Sequence, residues 1–213
     1  MMRYTLIILL LIVTLSLKGQ RNFDYGILAG GASYMGELNS TNFVFSPSSA
    51  VGGFFRYNIN PRYAARISGT YLGLSGNPAN YPNQAIPNYL PQFAANILDF
   101  NAQVEFNFSP YMTGEEAFMR TLYVAGGVGF TYPLGSEGFL TIPFGLGYKI
   151  NLTKRLSVGA EWTFRKTFSD TQLDNTQSIL GNTWLNNNDW YSVYGLFISY
   201  KFVKFAADCP AYN

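Results

Sequence analysis

The sequence contains no histidine and a single cysteine. Without histidine a Ser-His-acid triad and an imidazole general base are both excluded. Zinc and haem sites lose their commonest ligand, and we expect no cofactor and no enzyme. The one cysteine, Cys209, cannot form an internal disulfide. In an exported chain it is either the donor of an intermolecular disulfide or an inert thiol. Charge is scarce too, at 12% of residues, about half the ~25% of an average soluble protein. So few charges cover a soluble surface poorly. No long apolar run follows residue 17, which excludes a spanning helix.

What the chain does have is aromatics and glycine, with 18 Phe, 16 Tyr and 21 Gly in 213 residues. They fall in alternating runs. In VGGFFRYNINPRYAARISGTYLGL (residues 51–74), Val51, Gly53, Phe55, Tyr57 and Ile59 share one face, and Gly52, Phe54, Arg56 and Asn58 the other. Past NINPR, Tyr63, Ala65, Ile67, Gly69 and Tyr71 oppose Ala64, Arg66, Ser68 and Thr70. Period two means a strand with two different surroundings. Comparable alternation recurs over 22–36, 95–108, 119–132, 139–150, 156–168 and 190–205, making eight segments. Each exceeds the ~9–11 residues that cross a bilayer at a tilt. With low charge and no spanning helix, the pattern predicts an all-β fold, an eight-stranded antiparallel up-and-down transmembrane barrel of the outer-membrane type.

Connection lengths support it. NINPR and NLTKR are short, whereas the joins after the first, third and seventh segments are longer and polar. Short periplasmic turns and longer outer loops place both termini in the periplasm. SPYMTGEEAFM is long for a turn, and YPLGSEG is short for a loop.

The polar face of such a barrel looks inward. Arg56, Arg66, Asp99, Glu105, Lys149, Glu161, Arg165 and Lys201 fall on it. Eight strands leave a bore just wide enough for side chains to fill. The expectation is an internal salt-bridge network, and a passive pore is disfavoured. Tyr57, Tyr63, Phe108, Tyr148 and Phe202, at segment ends, suit an aromatic girdle. Pro143 lacks a ladder donor and predicts a bulge. The doublets Gly30-Gly31, Gly52-Gly53 and Gly126-Gly127 predict bends or close approach. GGVGF would need a strand-to-helix turn to bind a nucleotide, and none is predicted. Asp170, Asp174 and Asp189 lack the fixed spacing of a calcium loop.

The start, MMRYTLIILLLIVTLSLKGQ, has Arg3, an apolar stretch from Leu6 to Leu17, and Lys18-Gly19-Gln20. That is a signal-peptide layout. We expect a leader over 1–19, a barrel over 20–205 and a periplasmic tail over 206–213. The 14 Lys and Arg become 12, against 12 Asp and Glu, once Arg3 and Lys18 leave. A neutral chain gives no reason to expect nucleic acid.

Four stretches, GILAGGASYMGELN, FFRYNINPRYAARISGTYLGLSG, IPFGLGYKINLTKRLSVGAEWTFRKTFSD and the tail CPAY, resemble PorG-type outer-membrane proteins of the Bacteroidota type IX secretion system. The order and spacing of these stretches carry the resemblance. Glu37 stands where the family commonly has Asp, and SDTQLDN replaces a more acidic segment. The resemblance implies a non-enzymatic component, set in outer-membrane lipid, that ties a periplasmic PorK-like lipoprotein and PorN-like ring to the membrane. The implied contact surface is Asn60, Pro61 and Arg62, Glu115 and Glu116, Lys154 and Arg155, and Asp208, Cys209 and Pro210. The alternative is a self-standing barrel that acts as adhesin or receptor through loops 75–94 and 169–189.

Overall fold

A computed structural model describes residues 23–35, 47–76, 93–113, 117–168 and 190–201. Eight strands make up the fold: β1 (Phe23–Met35), β2 (Ser48–Asn58), β3 (Tyr63–Gly76), β4 (Phe93–Asn107), β5 (Arg120–Pro133), β6 (Phe139–Asn151), β7 (Leu156–Thr167) and β8 (Trp190–Lys201). Each pairs antiparallel with its neighbour in sequence, and β8 closes on β1. This is the expected barrel. The segment 1–19 expected to be a leader, the tail 206–213, Phe202, most of loop 75–94 and all of loop 169–189 lie outside the described residues.

Alternation dictates what faces where. Ile27, Phe55, Ile67, Phe100, Leu122, Val128, Leu140 and Leu196 are exposed on the outside. Soluble monomers rarely leave so large a contiguous apolar surface to water. The band is lipid-facing, and the strands span a membrane. The complementary positions fill the bore. Leu28, Phe54 and Phe197 form an apolar layer near mid-height, and Leu72, Leu74, Ile97, Tyr34 and Phe139 pack together farther on.

Turns 59–62 and 152–155, the 108–119 connection and the outer ends of β1 and β8 share one end, here the terminal end. The joins after β1, β3, β5 and β7 share the other, the loop end. The two short turns are built alike. The Asn60 carboxamide oxygen accepts from the backbone N–H of Arg62 and Tyr63, each at 2.8 Å. Thr153 Oγ1 accepts from Arg155 and Leu156 at 3.2 and 3.0 Å. Both are short side chains that hold a turn through their own backbone.

Pro143 does not produce the expected bulge. Gly126 pairs with Phe144 and Gly129 with Thr141, a constant register on both sides of the gap. On the other flank Pro143 pairs in step with Arg165. The lost ladder donor is absorbed by opening the β5–β6 pair locally, at Gly127 and Val128 of β5. GGVGF lies inside β5 as strand. A Cβ on Gly127 would collide with the Ala102 carbonyl, whereas one on Gly126 would meet nothing closer than 4.0 Å. Close approach thus accounts for one member of that doublet.

Candidate functional site: the filled bore and its two ends

The bore holds two ionic clusters. The larger is centred on Glu105 of β4, whose carboxylate faces three cations. Lys149 Nζ lies 2.6 Å from Oε2, Arg66 Nε 3.4 Å from Oε1, and Arg56 Nη1 3.7 Å from Oε2. Two further carboxylates complete it. Asp24 Oδ2 stands 3.3 Å from Arg56 Nη2, and Glu161 Oε2 stands 2.5 Å from Arg66 Nη1. Arg56 and Arg66 are direct cross-strand partners, a like-charge pairing that is unfavourable by itself. Glu105 between them reverses its sign.

Aromatic rings finish the enclosure. The Arg56 guanidinium lies over Phe54 and Phe197 at 5.0 and 5.6 Å, and Lys149 Nζ over Tyr123 and Tyr111 at 4.6 and 4.9 Å. Tyr123 also donates its hydroxyl to Glu161 at 2.8 Å. Gly147 makes room for that ring, since a Cβ there would lie 2.5 Å from the Tyr123 hydroxyl oxygen. Arg56, Glu105 and Lys149 are each fully buried.

The second cluster lies toward the loop end. Asp99 Oδ2 accepts from Arg165 Nε at 2.9 Å and from Asn101 Nδ2 at 3.0 Å. Its Oδ1 accepts from Thr131 and Tyr191, each at 3.2 Å. Arg165 also donates to the Thr163 carbonyl at 3.1 Å. One cation and three neutral donors thus hold this carboxylate.

The terminal end is stoppered. The segment after β4 turns inward and places Tyr111 fully buried in the mouth. Its N–H donates to the Pro61 carbonyl at 2.9 Å, and its hydroxyl donates to Asn151 Oδ1 at 2.6 Å and lies 3.0 Å from Ser157 Oγ. Asn151 returns a bond to the Met112 carbonyl at 3.1 Å. Burial pushes the Tyr111 phenol above its ordinary value, which keeps it a neutral donor. The length that made SPYMTGEEAFM anomalous for a turn is the length needed to reach into the bore and return.

Of the eight charges assigned to the interior, seven take part in these two clusters. Lys201 does not. It ends the described part of β8, half-buried opposite Asp24, and has no ion-pair partner among the described residues. Asp24 and the tyrosines 111, 123 and 191 belong to the clusters but were absent from the expected set. Parity alone would have found Asp24, Tyr123 and Tyr191, which alternate with outward Tyr25, Leu122 and Trp190. Tyr111 carries no such signal, because it lies outside any strand.

Of the implied contact surface, Asn60, Pro61, Arg62, Lys154 and Arg155 are exposed in the two short turns. Arg62 is partly committed, donating Nη1 to the Phe108 carbonyl. Glu115, Glu116, Asp208, Cys209 and Pro210 lie outside the described residues. The girdle forms from Phe23, Tyr57, Tyr63, Phe106 and Phe108, with rings of successive partners 4.7 to 5.5 Å apart where they meet. Phe118, at the same end, is 73% exposed. Its φ of 64° is a conformation that bulky side chains rarely adopt. Among the described residues no group of His, Cys, Asp and Glu could hold a metal ion.

A domain-of-unknown-function family, DUF6089, matches residues 2–211. The chain belongs to the DUF6089 family. No curated protein matches it. Among solved structures, Neisserial surface protein A aligns with a TM-score of 0.51 at 12% identity, over 84% of this chain and 97% of that one. The attachment invasion locus protein Ail of Yersinia pestis aligns at 0.48 and 12%, over 85% and 99%. OprG of Pseudomonas aeruginosa aligns at 0.46 and 12%, over 87% and 99%. At such identities the likeness is one of fold: this DUF6089 chain is an eight-stranded barrel of the outer-membrane type.

Proposed function

We propose that this DUF6089 protein is a non-catalytic outer-membrane component of a type IX secretion machine. Both termini face the periplasm, and the terminal end ties a PorK-like lipoprotein and a PorN-like ring to the membrane. The filled bore supports a scaffold over a conduit. Among the described residues, Glu105, Asp99 and their partners stand across its width and Tyr111 fills one mouth, which favours a plugged wall over a path for solute. What remains to work with is the two ends. The resemblance of the β1, β2–β3 and β6–β7 stretches to PorG-type proteins favours the terminal one.

The test is capture of the detergent-solubilised full chain from its own membranes, with and without reductant, and mass spectrometry of what comes with it. Recovery of periplasmic ring proteins, with a reductant-sensitive band absent from Cys209→Ala, is the expected result. Recovery of the barrel alone would overturn the scaffold and leave a surface receptor working through the loop end. Stable single-channel openings after reconstitution would overturn the filled-bore argument itself.

A further inference from the structure

The charges outside the bore are largely sorted by end, the exception being Lys166, on the outward side of β7 near the loop end, whose Nζ lies 5.4 Å over the Trp190 ring. At the terminal end Arg62, Arg120, Lys154 and Arg155 are exposed and Lys201 half-exposed, with no exposed carboxylate among the described residues. The flanking sequence adds Arg21 and Lys204 against Glu115, Glu116 and Asp208. The joins of the loop end contain Glu37, Glu137, Asp170, Asp174 and Asp189, and neither lysine nor arginine.

Position narrows what these cations meet. Arg120 shares the lipid-facing side of β5 with Leu122, and Leu122 pairs with Tyr148, an outward tyrosine that is 38% exposed. Arg120 therefore stands about 7 Å beyond the level of Tyr148, two strand residues along. Phe118 precedes it, exposed and pinned by its N–H to the Asn151 carbonyl at 2.8 Å. Arg155 Nη1 donates to the Tyr200 hydroxyl at 3.4 Å, and Tyr200 contacts Tyr25, with ring centres 6.1 Å apart. Tyrosine girdles mark headgroup depth. These guanidinium groups sit at the rim of the barrel wall, where a phospholipid presents its phosphate. A soluble acidic partner would be better met by cations at turn tips alone, and Arg120 is not at one.

We propose that the terminal end binds anionic phospholipid headgroups through Arg120, Lys154 and Arg155, with Phe118 and Tyr200 seated beside them in the interface. The inference rests on this end lying in a phospholipid leaflet, which the proposed periplasmic orientation supplies. The test uses the full chain in mixed micelles with equal phosphatidylglycerol and phosphatidylcholine, and native mass spectrometry counts the lipids retained. Preferential retention of phosphatidylglycerol is expected. It should fall about fivefold for each of Arg120→Gln, Lys154→Gln and Arg155→Gln, following the attraction of one cation to an anionic surface. Glu137→Gln, at the loop end, should leave it unchanged. A triple variant that keeps the wild-type preference would overturn the proposal. So would a triple variant that loses a periplasmic protein partner while still retaining phosphatidylglycerol, which would make the rim a protein dock. If ring partners are recovered but the lipid preference is absent, this inference fails and the scaffold stands. The opposite pattern fails the scaffold alone.

Discussion

Glu105 and Asp99 are two fully buried carboxylates on one strand, three alternations apart, and they are stabilised by different means. Glu105 is surrounded by charge. Three cations approach it, but Lys149 alone makes a short hydrogen bond, and the nitrogens of Arg56 make none among the described residues. Asp99 is surrounded by hydrogen bonds, with one cation and three neutral donors. A buried charge needs either compensation, and removing it exposes different debts. Neutralising Glu105 takes the shared counter-charge from three cations and leaves Lys149 with no carboxylate, while Arg56 keeps Asp24 and Arg66 keeps Glu161. Neutralising Asp99 strands one and leaves acceptors for the rest.

Glu105→Gln should accordingly cost most, about 3 to 5 kcal/mol, the range for breaking a buried ion pair. It should be read as a lowered urea midpoint of the protein folded in lipid vesicles. Asp99→Asn should cost about 2 kcal/mol, because the amide oxygen still accepts from Tyr191 and Thr131. An equal loss for the two would erase the distinction. Arg165→Met added to Asp99→Asn should recover stability relative to Asp99→Asn alone, since an apolar replacement of a whole pair is often neutral. No recovery would mean Arg165 is held chiefly by Thr163. Tyr111→Phe should cost about 1 kcal/mol, one net hydrogen-bonded group, while its ring remains over Lys149. Lys201→Gln should stay within about 0.5 kcal/mol, as surface substitutions do. A larger loss would return Lys201 to the network.

The barrel was legible because period two carries both the fold and the facing of each residue. A chain with apolar exterior and polar interior inverts the soluble pattern, and low charge with abundant Phe and Tyr broke the ambiguity. The same parity placed seven of the clustered charges. It could not tell Lys201 from them, because facing inward near a mouth is not the same as being enclosed. Which carboxylate serves which cation depends on contacts across the bore, such as Arg66 of β3 with Glu161 of β7, and nothing local encodes those. Tyr111 was missed for a related reason: a connection that folds back has no periodicity. Pro143 misled because the cost of a missing donor depends on the partner strand, and here the facing stretch of β5, Gly127-Val128, lets the ladder open without a change of register.

The ion pairs that span the bore have a kinetic consequence. Arg66–Glu161 and Asp99–Arg165 join strands from opposite walls, so neither can form while the sheet is still open. A half-closed sheet would hold Glu161, Asp99 and Arg165 on its concave side without these partners, although neighbouring strands could already pair Asp24 with Arg56 and Arg66 with Glu105. The last seam, β1 against β8, would thus form together with the network. Closure of this barrel should behave as a single cooperative step, and the charges in its interior act against any long-lived, partly zipped intermediate.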